Sequence, residues 1–189
     1  ALNKSHNSEF VGMAHASVDE WLGADETTIG LENRKTKAIL EKFNGKLFDS
    51  YYSLLTSSEI DAVYIPLPPS LHFKWAKIAL ENSKHVLLEK PATTKIEDTL
   101  ELIEISKKNN LALHENYMFV YHNQINYINE IIDSNQIGDI RLIRLSFEFP
   151  KRANNDFRYN KDLGGGALLD CGGYTIKYAS MLLGETAEI

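Results

Sequence analysis

Two stretches of this 189-residue chain hold residue types that could do chemistry. Glu89, Lys90 and Pro91 follow the apolar run Val86-Leu87-Leu88. An acid and an ammonium thus stand where a buried strand should end, and proline closes the exit. Two readings fit: a solvated ion pair at a strand end, or a catalytic lysine aimed into a cleft. The second stretch is GGGALLDCGGYTIKYA (164–179), where Asp170 and Tyr174 stand four residues apart. On a helix that spacing puts both side chains on one face. Gly172 and Gly173 lie between them and cost a helix interior about 1 kcal/mol each. Either another element or a flat ligand must come close to the backbone there. The triple glycine is not a phosphate loop of the G-x-x-x-x-G-K-S/T type, because no Lys–Ser/Thr pair follows.

Other reactive side chains carry less. His114 and His122 do not have the spacing of an H-E-x-x-H zinc helix, so no metal site is expected. Cys171 has no Cys–His–Asn set around it and reads as a small buried residue. His6, His15 and His85 read as solvent or loop histidines, Trp21 as isolated in a loop, and Trp75 as helix packing.

The elements that must position these residues can be read from periodicity. EFVGMA (9–14) is a strand, and the polar stretch 15–30 a loop. Residues 31–43 form an amphipathic helix ended by Asn44–Gly45. KLFDS is a short strand and YYSLLTSSEI a short helix. DAVYIPLPP (61–69) is a strand cut off by prolines. The helix after it is capped by Ser70, with Trp75, Ile78 and Ala79 on one face. KHVLLEKP is a strand, 93–110 a helix, and LALHENYMF a strand. Strands and helices therefore alternate, and the strands are continuous apolar runs, as strands covered on both faces are. The fold class is α/β, with a doubly wound parallel sheet. Ligands in such sheets sit beyond the carboxyl ends of the strands. Three of those ends are chemically loaded: PLPPSLH (66–72), EKP (89–91) and HENY (114–117). After residue 120 the rhythm changes. A helix ends at Gly138, and DIRLIRLSFEFP alternates like a strand of a second, more open, mostly antiparallel sheet. The expected division is residues 1–118 and 119–189.

Composition narrows the function. Apolar residues make up 43% and charged residues 24%, as in globular proteins. The net charge of -6 argues against nucleic-acid binding. No apolar run approaches a membrane span, and no signal segment opens the chain. One cysteine fits a reducing cytoplasm. ALNKSHNS resembles the tail of a helix, and the chain is expected to be cut at both ends.

The order PLPPSLH, EKP, ENYMF and FRYNKDLGGGALLDCGGY resembles the glucose–fructose oxidoreductase/inositol dehydrogenase (Gfo/Idh/MocA) family of NAD(P)-dependent enzymes. The branch it is most similar to includes nucleotide-sugar 3-ketoreductases, dimeric dihydrodiol dehydrogenases and xylose dehydrogenases. The resemblance implies a Rossmann-like first domain and the start of a substrate and oligomerisation domain. It implies Lys90 near the nicotinamide and the reacting oxygen, with Tyr174 and Asp170 beside it as catalytic partners. It also implies a cofactor border made of Pro66, Leu67, Pro68 and His72, with Glu89 at the nicotinamide ribose. Phe157 and Arg158 reach the cofactor from the second domain, and Asn116, at the third loaded strand end, joins this set. A lysine and a phenol aimed at one oxygen would stabilise hydride transfer to a carbonyl. The ammonium is expected to lower the phenol's pKa.

The family's first strand and glycine-rich turn have no counterpart in this sequence. Either NAD or NADP would serve; Arg34 and Lys35 lean the expectation to NADP. The substrate implied is a sugar or nucleotide sugar, and the assembly a dimer or tetramer. Two alternatives stay open: an NAD-dependent glycosidase, and a cofactor-binding regulator without turnover.

Overall fold

A computed structural model of the chain describes residues 7–21, 25–154 and 156–184. Most of the opening stretch read as a helix tail lies outside the described residues, as do the last five. Strand β1 (Gly12–Ala14), helix α1 (Glu26–Phe43) and strand β2 (Lys46–Phe48) form the first unit. The two strands are parallel, with Gly12 opposite Lys46. A side chain at Gly12 would fall on the Lys46 carbonyl, so the pairing needs glycine. Helix α1 starts earlier than the periodicity predicts, because Asp25 accepts the Thr28 N–H at 2.7 Å and caps it. The stretch before it is not a free loop. Trp21 is buried and donates its indole N–H to Tyr51 Oη at 2.8 Å, and Asn33 clamps both backbone groups of Ala16.

After the short helix α2 (Tyr51–Leu55) come strands β3 (Ala62–Ile65), β4 (His85–Glu89) and β5 (Leu113–Asn116). They form a parallel sheet in that order, joined by α3 (Pro69–Glu81) and α4 (Ile96–Lys108). Parallel neighbours need such crossovers, and the alternation in the sequence supplies them. The predicted cap of α3 is different. Pro68 and Pro69 set the start, since proline's fixed φ suits a first turn, and Ser70 Oγ is buried without a partner among the described residues. Trp75, Ala76, Ala79 and Leu80 of α3 pack with Val86 and Leu88 of β4 and Leu102 of α4. Leu80, Leu88 and Leu102 are fully buried, each contributing about 2 kcal/mol of apolar burial.

Two expectations about the sheet need correction. Its strands are not covered on both faces: Val63, Ile65, Val86 and Leu88 are buried, but Tyr64 and Leu87 between them are 50% and 38% exposed. Helices α3 and α4 cover one face. Nor is there one continuous sheet. Among the described residues β1 pairs with β2 and β3 with β4, and no ladder joins β1 to β3, although one apolar cluster runs beneath both.

The second half holds helix α5 (Asn123–Asp133), a π-helical turn (Leu168–Gly172) and helix α6 (Gly173–Leu183) that continues from it. The alternating run 139–150 forms no strand pairing among the described residues. Its pattern suits a pleated strand, but a ladder needs a neighbour to take its N–H and C=O groups.

Candidate active site

Lys90 leaves the end of β4 through a cis Lys90–Pro91 peptide, and its side chain is only 12% exposed. The solvated-ion reading of that strand end is therefore excluded. Lys90 Nζ donates to Asp170 Oδ1 and to the Asp170 carbonyl oxygen, both at 2.7 Å. Asp170 lies in the π-helical turn, and its side chain is 13% exposed. A buried ion pair repays its desolvation only with such well-formed bonds. Two of the three ammonium N–H groups are thus used, and one is left for a further acceptor. Arg158 joins from the other side, with Nε 3.0 Å from Asp170 Oδ2. That N–H is aimed off the oxygen and makes no hydrogen bond among the described residues, so the contact is ionic. Arg158 Nη1 instead donates to Asp156 Oδ1 at 3.0 Å. Burial works against the Asp156 carboxylate, but the Arg158 N–H and guanidinium outweigh it and hold its pKa below the usual value.

Tyr174, one turn beyond Asp170, has its ring beneath the same ammonium: Lys90 Nζ lies 4.8 Å from the ring centroid. Phe147 stacks on that ring at 4.4 Å and 7°, and Tyr117 meets it edge-on at 5.4 Å. The glycines between Asp170 and Tyr174 serve packing. A Cβ on Gly173 would fall on the Tyr117 hydroxyl, and one on Gly172 would press Leu168. The expected lowering of the Tyr174 pKa does not occur. Burial raises it, and the charges of Glu89 and Asp170 raise it further. The physical reason is that burial of the phenol penalises phenolate, and the two nearby carboxylates add to that penalty.

The cleft beside Lys90 has a volume of about 200 Å³. Of the predicted cofactor residues, Pro66, Leu67, Glu89, Lys90, Phe157 and Arg158 line it. Three do not. Pro68 is buried as the cap of α3. His72 is fully buried behind the cleft, its Nε2 2.7 Å from the Leu67 carbonyl and its Nδ1 2.8 Å from the Pro91 carbonyl. Its side chain ties together the loops that leave β3 and β4. Asn116 gives its amide to Glu89 Oε1 at 2.7 Å instead of to the cleft. The triple glycine closes the far wall. Gly164, at φ +79°, and Gly165 have no room for a Cβ against Ser70 N and the Arg158 carbonyl respectively. Tyr174 does not line this cleft. It lines an apolar groove of about 720 Å³ with Phe119, Phe147 and Tyr178, so it stands at the boundary of the two spaces.

Sequence reasoning missed three contributors. Tyr64 donates to Glu89 Oε1 at 2.7 Å, and Tyr117 and Phe147 hold the Tyr174 ring. The signal for Tyr64 was its place in DAVYIPLP, two residues before a cleft-lining proline; Phe147 gave none, because its strand pattern named no partner. Lys35, half of the NADP expectation, is engaged by Glu32 at 2.5 Å.

The mixed lining fits the nicotinamide end of a dinucleotide: flat apolar walls from Pro66, Leu67 and Pro91, and polar groups from Glu89, Lys90 and Arg158. The comparisons with known proteins agree with that fit. The chain is 42% identical over 157 residues to a dTDP-3,4-didehydro-2,6-dideoxy-alpha-D-glucose 3-reductase of Streptomyces violaceoruber, covering 83% of this chain and 46% of that protein. It is 34% identical over 144 residues to a D-xylose 1-dehydrogenase (NADP(+)) of Haloferax volcanii, covering 75% of this chain and 44% of that one. Its structure superposes with TM-score 0.84 and 36% identity on a 3-ketoreductase of Actinomadura kijaniata solved with NADP and TDP-benzene, covering 97% of this chain and 52% of that one. The chain thus spans about half the length of the relatives it matches. Two family models match, the oxidoreductase family with NAD-binding Rossmann fold over 14–117 and the GFO/IDH/MocA C-terminal domain over 125–189. Together with a buried lysine at a parallel-sheet strand end, these matches place the chain in the GFO/IDH/MocA oxidoreductase family.

Proposed function

We propose that the protein reduces a nucleotide-sugar carbonyl with NADP(H), using Lys90 and Tyr174 at the reacting oxygen. The observation that carries this reading is the Lys90 ammonium, bonded to Asp170 at 2.7 Å and set 4.8 Å from the Tyr174 ring centroid. The solved variants of the Actinomadura kijaniata 3-ketoreductase support it. They replace one lysine by alanine or glutamate and one tyrosine by phenylalanine, and those two positions have the same separation as Lys90 and Tyr174. The relatives' nucleotide-sugar substrates and NADP support the substrate and cofactor classes. Residues 1–118 would form the dinucleotide module and residues 119–189 would begin the substrate module.

When bound, the nicotinamide supplies the hydride. As the carbonyl carbon accepts it, negative charge builds on the oxygen. The remaining Lys90 N–H stabilises that charge, and the fixed pair with Asp170 keeps the ammonium in place before the substrate arrives. Tyr174, with its pKa raised by burial, holds its hydroxyl proton and can hand it to the oxygen. Glu89 and Arg158 would hold the nicotinamide half, while Pro66, Leu67 and Phe157 exclude water around it.

The test follows nicotinamide absorbance in the full-length protein with NADPH and a panel of nucleotide keto-sugars. Net consumption is expected. Lys90→Met should lower kcat about 100- to 1,000-fold, as loss of one oxyanion donor does. NADPH affinity should change far less. Glycoside cleavage without net NADPH change, or near-normal turnover by Lys90→Met, would reject the reading.

A further inference from the structure

The carboxyl ends of β3, β4 and β5 share a second polar cluster, on the open face of the sheet. Its geometry follows from the register. Tyr64 lies opposite Leu87, so Glu89, two residues on, is its diagonal neighbour on the same face. Asn116 lies directly opposite Glu89 on the other side. Tyr64 Oη and Asn116 Nδ2 each donate to the same carboxylate oxygen, Glu89 Oε1, at 2.7 Å. Oε2 receives no donor among the described residues, and Glu89 is one of the groups that line the cleft. A glutamate's terminal torsion is ordinarily broad, so an unheld carboxylate samples many orientations. Two donors from two flanking strands remove that freedom and leave one oxygen presented. Donors mounted on strands hold a site group better than donors on loops.

We propose that Tyr64 is a positioning residue: with Asn116 it locks Glu89 so that Oε2 accepts a hydrogen bond from the nicotinamide-riboside half of the dinucleotide. This rests on the cofactor reading above. Burial of the Tyr64 hydroxyl and the adjacent Glu89 charge both raise its pKa, so it remains a donor throughout the working pH range. The ring itself is half exposed, so the hydroxyl is what the site uses. Replacement by phenylalanine removes only that hydroxyl.

The experiment is a double-mutant cycle in the full-length protein, with the NADPH dissociation constant read from nicotinamide fluorescence. Wild type, Tyr64→Phe, Glu89→Ala and the double variant are titrated, and Glu89→Gln replaces Glu89→Ala if the latter does not fold. Tyr64→Phe alone should weaken NADPH binding about three- to tenfold, because Glu89 loses one of its two donors while Asn116 still holds it. In the background lacking the Glu89 carboxylate it should add less than about twofold, since the two act as one unit. A merely structural tyrosine would instead weaken binding equally in both backgrounds. Equal weakening in both backgrounds, or none in either, overturns the proposal while leaving the cofactor reading intact. Failure of the wild type to bind NADPH overturns both.

Discussion

At the scale of single residues, the site is organised around Asp170. It takes two bonds from Lys90 and faces Arg158, and its charge adds to the burial that raises the Tyr174 pKa. Adjacency of an ammonium and a phenol therefore does not make the phenol acidic. Tyr174 starts from a pKa of 10.0 and is shifted upward by burial and by the Glu89 and Asp170 charges. Proton delivery from it should show no alkaline loss below about that value. This is checked by kcat–pH profiles of wild type and Tyr174→Phe. A wild-type fall centred near neutral pH that vanishes in the phenylalanine variant would contradict the assignment. Tyr174→Phe itself should slow turnover less than Lys90→Met, because water can replace a proton donor but not the fixed cation.

At the scale of elements, His72 is the clearest case of what a sequence conceals. Its position on α3 was legible from the helical period, and its closeness to the cleft loops from the prolines before it. That its ring sits between two carbonyls, one from each loop, depends on β3 and β4 being neighbours, which the local pattern does not state. The same limit applies to Ser70, a good cap by type, displaced from that role by the preceding prolines. Trp21 is another, since its partner Tyr51 lies thirty residues on. Lys90, by contrast, could be singled out from the sequence: the charged strand end left two readings, and the EKP motif within the family resemblance pointed to the cleft. Burial pushes the His72 pKa below 6.5 and outweighs the two carbonyls, which favour the charged ring. The unfolded chain then binds that proton first, so the stability His72 contributes is present above 6.5 and lost as pH falls through the folded value. His72→Gln should cost about 1–3 kcal/mol near neutrality by leaving a buried carbonyl unpaired. That cost should shrink as the medium is acidified. Urea unfolding of both proteins across pH 7 to 5 measures it, and a difference that stays constant or grows would show that the ring is not held neutral.

At the scale of the whole molecule, order is unevenly spread. The fully buried side chains Leu80, Leu88 and Leu102 all belong to the β3–β4–β5 layer and its helices. Residues 139–150 carry Leu142 at 76% exposure and have no ladder. Amide exchange of the 189-residue chain, followed by mass spectrometry, should be slowest over 71–89 and fast over 139–150, because exchange protection tracks buried, bonded backbone. Uniform protection across both segments would show that the second half has found a partner surface. The fold class was readable because alternating strands and helices with parallel crossovers admit few alternatives. The open sheet face was not, because an apolar run looks the same whether one side or both are covered. Lys90 is one of the links between the two halves, and it joins a strand end to a turn 80 residues later. In the proposed role, one side chain would be both rivet and reagent. A substrate oxygen that drew the ammonium away from Asp170 would then also loosen the seam between sheet and helix, so turnover and the opening of the molecule would draw on the same bond.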